Sequence, residues 1–419
     1  MDDFGFNISE HIIPCTHIRG YRHATKDATA VLRLAVKEYT PKTRGDVEQG
    51  AVTVIAAHAN GIPKEAYEPV WEELRLRMGG KLRAIWFADS SHQGASGVLN
   101  EALQGDDPNY FDHSRDLLGM VNYFREKMKP PIVGVAHSMG CTQLTHLSFT
   151  HPRLFTGLLF IEPVMVAVHP PGPNASRMTS VRPDLWSSRE AARADFQKNP
   201  FYRSWDPRTL DKYITYGLRQ TPTLVYPDAK PGSVTLTTTK HQEAWLFLRS
   251  NFRPAPVDGK LDEGERLTTA DFNEDQASFV FHRAEPGLAV SLLPHIQPHV
   301  LWVYGGKSYV NKKGEREKNV ALTGIQNRAN GGVEAGAVKM HIVEKGSHMF
   351  PLQMVTETAD VIAPFLKEMS EKGQREEKFW QSYDSQKSER DGLVLSEMWK
   401  QEASKKKYEN RPAGKDAKL

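Results

Sequence analysis

Five stretches of the chain are short runs of small, β-branched or aromatic residues: 51–57, 82–87, 132–136, 157–161 and 300–304. Runs of that length and composition read as strands buried on both faces, and 338–343 reads as the last strand of the same sheet. Between them apolar residues recur at helical spacing. The segment 65–78 carries Val70, Trp71 and Leu74 on one face, 112–128 carries Leu117, Leu118, Val121 and Phe124, and 356–369 is a final core helix. Strands and helices in alternation predict an α/β fold with a mostly parallel central sheet. Nearer the start, 30–37 alternates apolar and polar residues as a half-exposed antiparallel strand does, and 6–13 alternates more weakly.

The pattern changes at Pro170-Pro171-Gly172-Pro173, a linker by composition. Residues 176–219 read as amphipathic helices, with starts at Ser187-Ser188-Arg189-Glu190 and Asp206-Pro207-Arg208. A short strand at Val234-Thr235-Leu236-Thr237 and a helix over 241–248 follow. Beyond Met369 the chain is charge-rich, with one amphipathic piece over 393–399. These shifts divide the chain into a core of 1–164 and 295–370, an inserted cap domain of 165–294, and a charged extension of 371–419.

Composition narrows the function classes. With 419 residues, 39% of them hydrophobic, the chain can bury one large core and an insertion. A net charge of +3 is close to neutral for this size and does not suggest nucleic-acid binding. Two cysteines, Cys15 and Cys141, give no disulfide framework and point to a reducing compartment. No Cys/His group has zinc spacing, so no metal is expected, and no cofactor is implied. The start, Met1-Asp2-Asp3-Phe4, lacks the apolar run of a secretory signal. No apolar run reaches the ~18 residues of a membrane span.

The chemistry gathers at Ala136-His137-Ser138-Met139-Gly140, between a strand and a helix. This is a nucleophile elbow of the Gly-x-Ser-x-Gly kind with Ala in the first position. The turn is tight, so small residues must flank the serine, whose Oγ is held exposed above the sheet. Read without that context, Ser138 is only a helix N-cap. A serine hydroxyl needs a base, and the base needs a carboxylate to fix its tautomer. His348, in Gly346-Ser347-His348 after the last strand, stands where the base belongs. No acid occurs between Gly305 and Gly314, after the 300–304 strand, so Glu162, at the tip of the 157–161 strand, is the candidate acid. The backbone N–H groups of Met139 and of Asn60, in His58-Ala59-Asn60-Gly61, are the expected oxyanion donors; an ordinary Asn-Gly turn is the alternative at Asn60. His92 reads as a structural loop histidine and Cys141 as core. Gly305-Gly306-Lys307-Ser308 lacks the upstream glycine of a phosphate loop.

With these residues in place the chain resembles the fungal α/β hydrolases that include the peroxisomal acyl-CoA hydrolase of mycophenolic acid biosynthesis, a peroxisomal lipase and hydrolases of host-toxin biosynthesis. The resemblance rests on Ala56-Ala57-His58-Ala59-Asn60-Gly61-Ile62-Pro63-Lys64-Glu65, Arg83-Ala84-Ile85-Trp86, His151-Pro152-Arg153-Leu154-Phe155-Thr156, Val234-Thr235-Leu236-Thr237 and the final tripeptide. It implies an α/β-hydrolase fold and a Ser138–Glu162–His348 triad. The acyl-CoA hydrolase has Asp where this chain has Glu162, and both carboxylates serve in this fold. The implied reaction is hydrolysis of an acyl-CoA thioester; the alternatives are a lipase or carboxylesterase and, different in kind, a non-catalytic binding protein. Seven aromatics within 186–216 suggest an acyl pocket, with Trp186, Phe201, Tyr202 and Trp205 as its candidate lining. Cap arginines could meet coenzyme A phosphates. Ala417-Lys418-Leu419 fits the small–basic–Leu peroxisomal address and names an import receptor as partner. A homodimer is left open.

Overall fold

The computed structural model describes residues 4–42, 47–166, 175–254, 260–385, 388–405, 407 and 410. The Pro170–Pro173 linker and the tripeptide Ala417, Lys418 and Leu419 lie outside them. By contacts the chain forms two compact units, Met1–Glu371 and Lys372–Leu419.

The first unit is built on eight strands: β1 (Phe6–Pro14), β2 (Arg33–Pro41), β3 (Val52–Ala57), β4 (Leu82–Ala88), β5 (Ile132–His137) and β6 (Gly157–Ile161), then, after the insertion, β10 (His299–Gly305) and β11 (Val338–Val343). They lie in the order β1-β2-β4-β3-β5-β6-β10-β11. The pairs β1·β2 and β2·β4 are antiparallel and every other pair is parallel. The sheet is thus mostly parallel, as the strand–helix alternation predicts. Strand β2 starts at Arg33 and runs on to Pro41, later than the alternation suggests, because Phe6 of β1 pairs with Pro41 and extends the ladder.

The two faces of the sheet divide residue by residue. Val54, Ala56, Val133, Val135, Leu159 and Ile161 pack on one side with Val70, Trp71 and Leu74 of α1 (Glu68–Met78) and with Ile362, Phe365 and Leu366. Ile55, Ala57, Ala136, Leu158 and Phe160 pack on the other with Leu117 and Met120 of α3 (Tyr110–Tyr123) and Leu144 and Leu147 of α4 (Met139–Thr150). This period-2 division explains the continuous apolar strands: a side chain on either face meets a helix layer. Helix α3 begins at Tyr110 because the Asn109 side chain accepts from the Phe111 N–H at 2.8 Å. A short α2 (Gly94–Leu99) follows β4.

Between β6 and β10 the chain makes a second, three-stranded antiparallel sheet: β7 (Leu185–Trp186), β8 (Leu218–Gln220) and β9 (Val234–Leu236), in the order β7-β9-β8. Around it lie α5 (Ala175–Val181), α6 (Arg189–Lys198), α7 (Pro200–Arg203), α8 (Pro207–Tyr216) and α9 (Lys240–Phe247). The helix starts expected at Ser188 and Asp206 are both present, each side chain capping its helix. The final core helix, Val355–Asp384, is longer than its apolar stripe, which ends with Met369. Lys372–Leu419 carries the end of that helix and Glu397–Ala403. Among the described residues no helix is long and apolar enough to cross a membrane.

Candidate active site

Ser138 is the single residue between β5 and α4, and its φ is 56°. L-residues avoid this left-handed region at a cost of about 1–2 kcal/mol. The surroundings hold it there. Its N–H donates to Ile161 O at 2.9 Å, and its carbonyl accepts from Cys141 N–H at 3.1 Å. A Cβ on Gly140 would stand 2.5 Å from the Ala57 carbonyl oxygen, so the elbow packs against β3 only with glycine there. Ala136 is buried and fits. Among the described residues only one other non-glycine has a positive φ: Glu162, at 49°.

That strain turns the Glu162 carboxylate from the tip of β6 across to the end of β10. There Oε1 accepts from Gly305 N–H at 2.5 Å, and Oε2 accepts from Ser308 Oγ at 2.5 Å and Asn311 Nδ2 at 3.0 Å. The carboxylate from β6 thereby lies against the loop after β10, where the sequence itself has no acid. The Gly305-Gly306-Lys307-Ser308 turn, no phosphate loop, is its cradle. A Cβ on Gly305 would collide with the Gly346 carbonyl, so this crossing of strand ends also depends on glycine.

His348 completes the arrangement from the loop after β11. Its Nδ1 lies 2.9 Å from Glu162 Oε2 and its Nε2 3.0 Å from Ser138 Oγ. The tautomer that satisfies both donates Nδ1–H to the carboxylate and accepts the serine proton at Nε2. Glu162 is fully buried and Ser138 nearly so, so the carboxylate acts on the imidazole through little intervening water. Cys141 is buried, its thiol against the carbonyls of Ala136 and Ile161, and burial pushes it far above its ordinary pKa.

Met139 opens α4, so its N–H belongs to the first turn, which has no partner within the helix. The loop after β3 supplies the second candidate donor. Ala59 N–H donates to Tyr67 Oη at 3.1 Å and Gly61 N–H to Gln93 Oε1 at 3.0 Å. The Asn60 N–H between them has no partner among the described residues. The Asn60 side chain is occupied in holding the loop: Nδ2 donates to Glu243 O at 2.9 Å and Oδ1 accepts from Gln93 Nε2. Below it Lys64 Nζ bonds Asp89 at 2.6 Å, both buried, which ties this loop to the one after β4.

Sequence reading misses a buried relay behind the site. Ala59 N–H donates to Tyr67 Oη, Tyr67 Oη donates to His137 Nδ1 at 2.8 Å, and His137 Nε2 donates to His348 O at 2.9 Å. Burial, and then the neighbouring His348, push His137 down to about 3, so it is neutral and keeps this polarity. The void beside it offers about 10 Å³, at the lower limit of the ~10–15 Å³ one water needs. The relay therefore joins the candidate oxyanion loop directly to the backbone of the histidine loop. Its only signal in sequence is a histidine before the serine. His92, taken for a loop histidine, is buried, and desolvation holds it far below its ordinary pKa.

The four candidate pocket residues lie in the insertion, three of them in its aromatic core. Trp186, Tyr202 and Trp205 are buried against Phe196 and Tyr213, with ring centroids 4.4–5.7 Å apart. They form the core of the insertion, which merges with the cluster on one face of the sheet. Phe201 is 45% exposed and packs edge-on to Tyr202 and Trp205. The five short helices and the three-stranded sheet need a core of their own, and these rings supply it. Three arginines of the insertion have partners within the protein: Arg182 bonds Glu243, Arg189 caps carbonyls of α8, and Arg193 pairs with Asp211.

A strained serine between strand and helix, over a mostly parallel eight-stranded sheet, defines the class: an α/β hydrolase. The alpha/beta hydrolase family matches residues 54–361, and the chain belongs to it. It is 36% identical over 423 residues, 95% of each chain, to the type I acyl-CoA thioesterase mpaH of Penicillium roqueforti, and 37% identical over 94% of each to that of Penicillium brevicompactum. Among solved structures, the peroxisomal alpha-beta-hydrolase Lpx1 of Saccharomyces cerevisiae superposes with a TM-score of 0.67 at 17% identity, over 94% of this chain and 99% of that one.

Proposed function

We propose that the protein hydrolyses an acyl-coenzyme A thioester through an acyl-enzyme, with Ser138 as nucleophile, His348 as base and Glu162 as the acid that orients it. The continuous Ser138–His348–Glu162 hydrogen-bond chain carries this reading, and full-length similarity to acyl-CoA thioesterases supports the substrate class. Ser138 Oγ attacks the thioester carbonyl as its proton passes to His348 Nε2. The oxyanion forms against the N–H groups of Met139 and Asn60. Collapse expels the thiolate, which takes the proton from Nε2. Water then attacks the acyl-serine with His348 again as base, releasing the acid and restoring Ser138. The Glu162 carboxylate stabilises the imidazolium in both halves.

The test compares specificity constants for a panel of acyl-CoAs and p-nitrophenyl esters. Thioesters are expected to be preferred; a consistent preference for oxygen esters would make the protein a carboxylesterase or lipase using the same residues. No turnover of either class would leave a binding protein. For location, the Ala417-Lys418-Leu419 address supports delivery to the peroxisome, with an import receptor as partner. A fluorescent protein fused ahead of residue 1 should become punctate and revert to diffuse when the tripeptide is deleted.

A further inference from the structure

A cavity of about 480 Å³ is walled in part by α9. Helix α9 has two working faces. One carries Glu243, whose backbone oxygen holds Asn60, and Leu246, which packs with Met139. Those are the two candidate oxyanion donors. The other carries His241, Gln242 and Trp245, which line the cavity.

The cavity's lining mixes charged, polar and aromatic side chains, with two permanent cations, Arg22 and Lys26. Arg22, His23, Lys26 and His241 line it together with Trp245, Leu224 and Val225. Arg22 and Lys26 are exposed, and no carboxylate forms an ion pair with either among the described residues. Of the two acids present, Glu101 is held by Arg219, while Asp106, 3.8 Å from His23, stands exposed at the rim. Thr239 and His241 place the first turn of α9 at the wall, where helix N–H groups favour an anion. Trp245 is 37% exposed and offers a ring face beside these charges.

We propose that this cavity holds the phosphate-bearing nucleotide end of a coenzyme A thioester, with Arg22 and Lys26 on the phosphates and Trp245 against the adenine. The inference rests on the thioesterase reading of the triad. An extended pantetheine arm is comparable to about four residues of extended chain, roughly 13–14 Å. That exceeds the ~10–12 Å width of a helix, so a nucleotide end in this cavity and a thioester at Ser138 can belong to one molecule. Charge-assisted contacts to phosphate are among the stronger polar interactions, and Lys and Arg both make them.

The test pairs two thioesters of one acyl group: the coenzyme A ester and the N-acetylcysteamine ester, which lacks the nucleotide. In the double variant Arg22→Glu/Lys26→Glu the ratio of their kcat/KM values should fall about tenfold to a hundredfold, through a higher KM for the coenzyme A ester. Free coenzyme A, titrated calorimetrically, should bind the variant more weakly by a similar factor. The milder Arg22→Gln/Lys26→Gln pair and Trp245→Ala should each move the ratio in the same direction, and they serve if the charge reversal disturbs folding. A ratio equal in wild type and all three variants, with thioesters still turned over, would overturn the cavity assignment alone. If neither thioester is hydrolysed while oxygen esters are, the thioesterase reading falls and the assignment falls with it.

Discussion

Ser138 and Glu162 hold a backbone conformation that L-amino acids avoid, and each is strained by the element that aims it. Removing the serine hydroxyl removes the covalent route, so Ser138→Ala should lower kcat by about 10⁴-fold or more on every substrate the wild type cleaves. Glu162→Gln should cost far more in kcat than Glu315→Gln, since Glu315 is an exposed residue at a helix start while Glu162 bonds His348 Nδ1. Equal losses from the two would remove Glu162 from the triad. Tyr67→Phe strands Ala59 N–H and His137 Nδ1 in a dry site, at about 1–3 kcal/mol. Its kcat should fall with little change in KM, because the relay ties two loops and touches no substrate; a normal kcat in a destabilised variant would make the relay a packing feature alone. Ser138 and His348 were legible because an elbow and a loop after the last strand are local patterns. Gln93, Ser308 and Asn311 were not: each acts on residues at least 32 positions away, and nothing in their own neighbourhoods marks them.

The elements show where local pattern stops being informative. The buried strands were read to within a residue or two, because both their faces meet helices and their composition says so. The helix expected over 65–78 is instead a 3-10 turn, Lys64–Tyr67, followed by α1, since buried Lys64 must reach Asp89 before the helix can start. At Trp186, Tyr202 and Trp205 the sequence alone leaves two readings open, because aromatic residues at helical spacing serve a ligand pocket and a small core equally well, and their packing favours the core. Trp205→Ala should therefore cost about 3–5 kcal/mol of stability, read as a drop in denaturation midpoint. The relative kcat/KM for long and acetyl thioesters should change little; a collapse of that selectivity in a stably folded variant would restore Trp205 to the acyl pocket. At the elbow, Gly140→Ala places a Cβ against the Ala57 carbonyl and must push β3 and α4 apart, for about 1–3 kcal/mol and most of the activity.

At the scale of the whole molecule, the main sheet is flanked by imidazoles kept out of water. His58, His92, His113 and His137 are all buried, and desolvation lowers each below its ordinary value, His113 and His137 to about 3. The ordinary value is near 6.5. Between these limits the unfolded chain takes up a proton that the folded chain refuses. The stability these groups contribute is thus complete above about pH 6.5 and is lost progressively as the pH falls toward 3, by up to about 1.4 kcal/mol per pH unit for each group. Urea midpoints should accordingly be flat from pH 8 to 7 and decline steeply below 6. His113 isolates the effect, because neither of its ring nitrogens has a hydrogen-bond partner among the described residues. His113→Leu removes one titrating group and no hydrogen bond, so it should flatten the decline between pH 6 and 4 relative to wild type. Parallel curves for the two proteins would show that His113 takes up its proton in the folded state and that acid acts elsewhere.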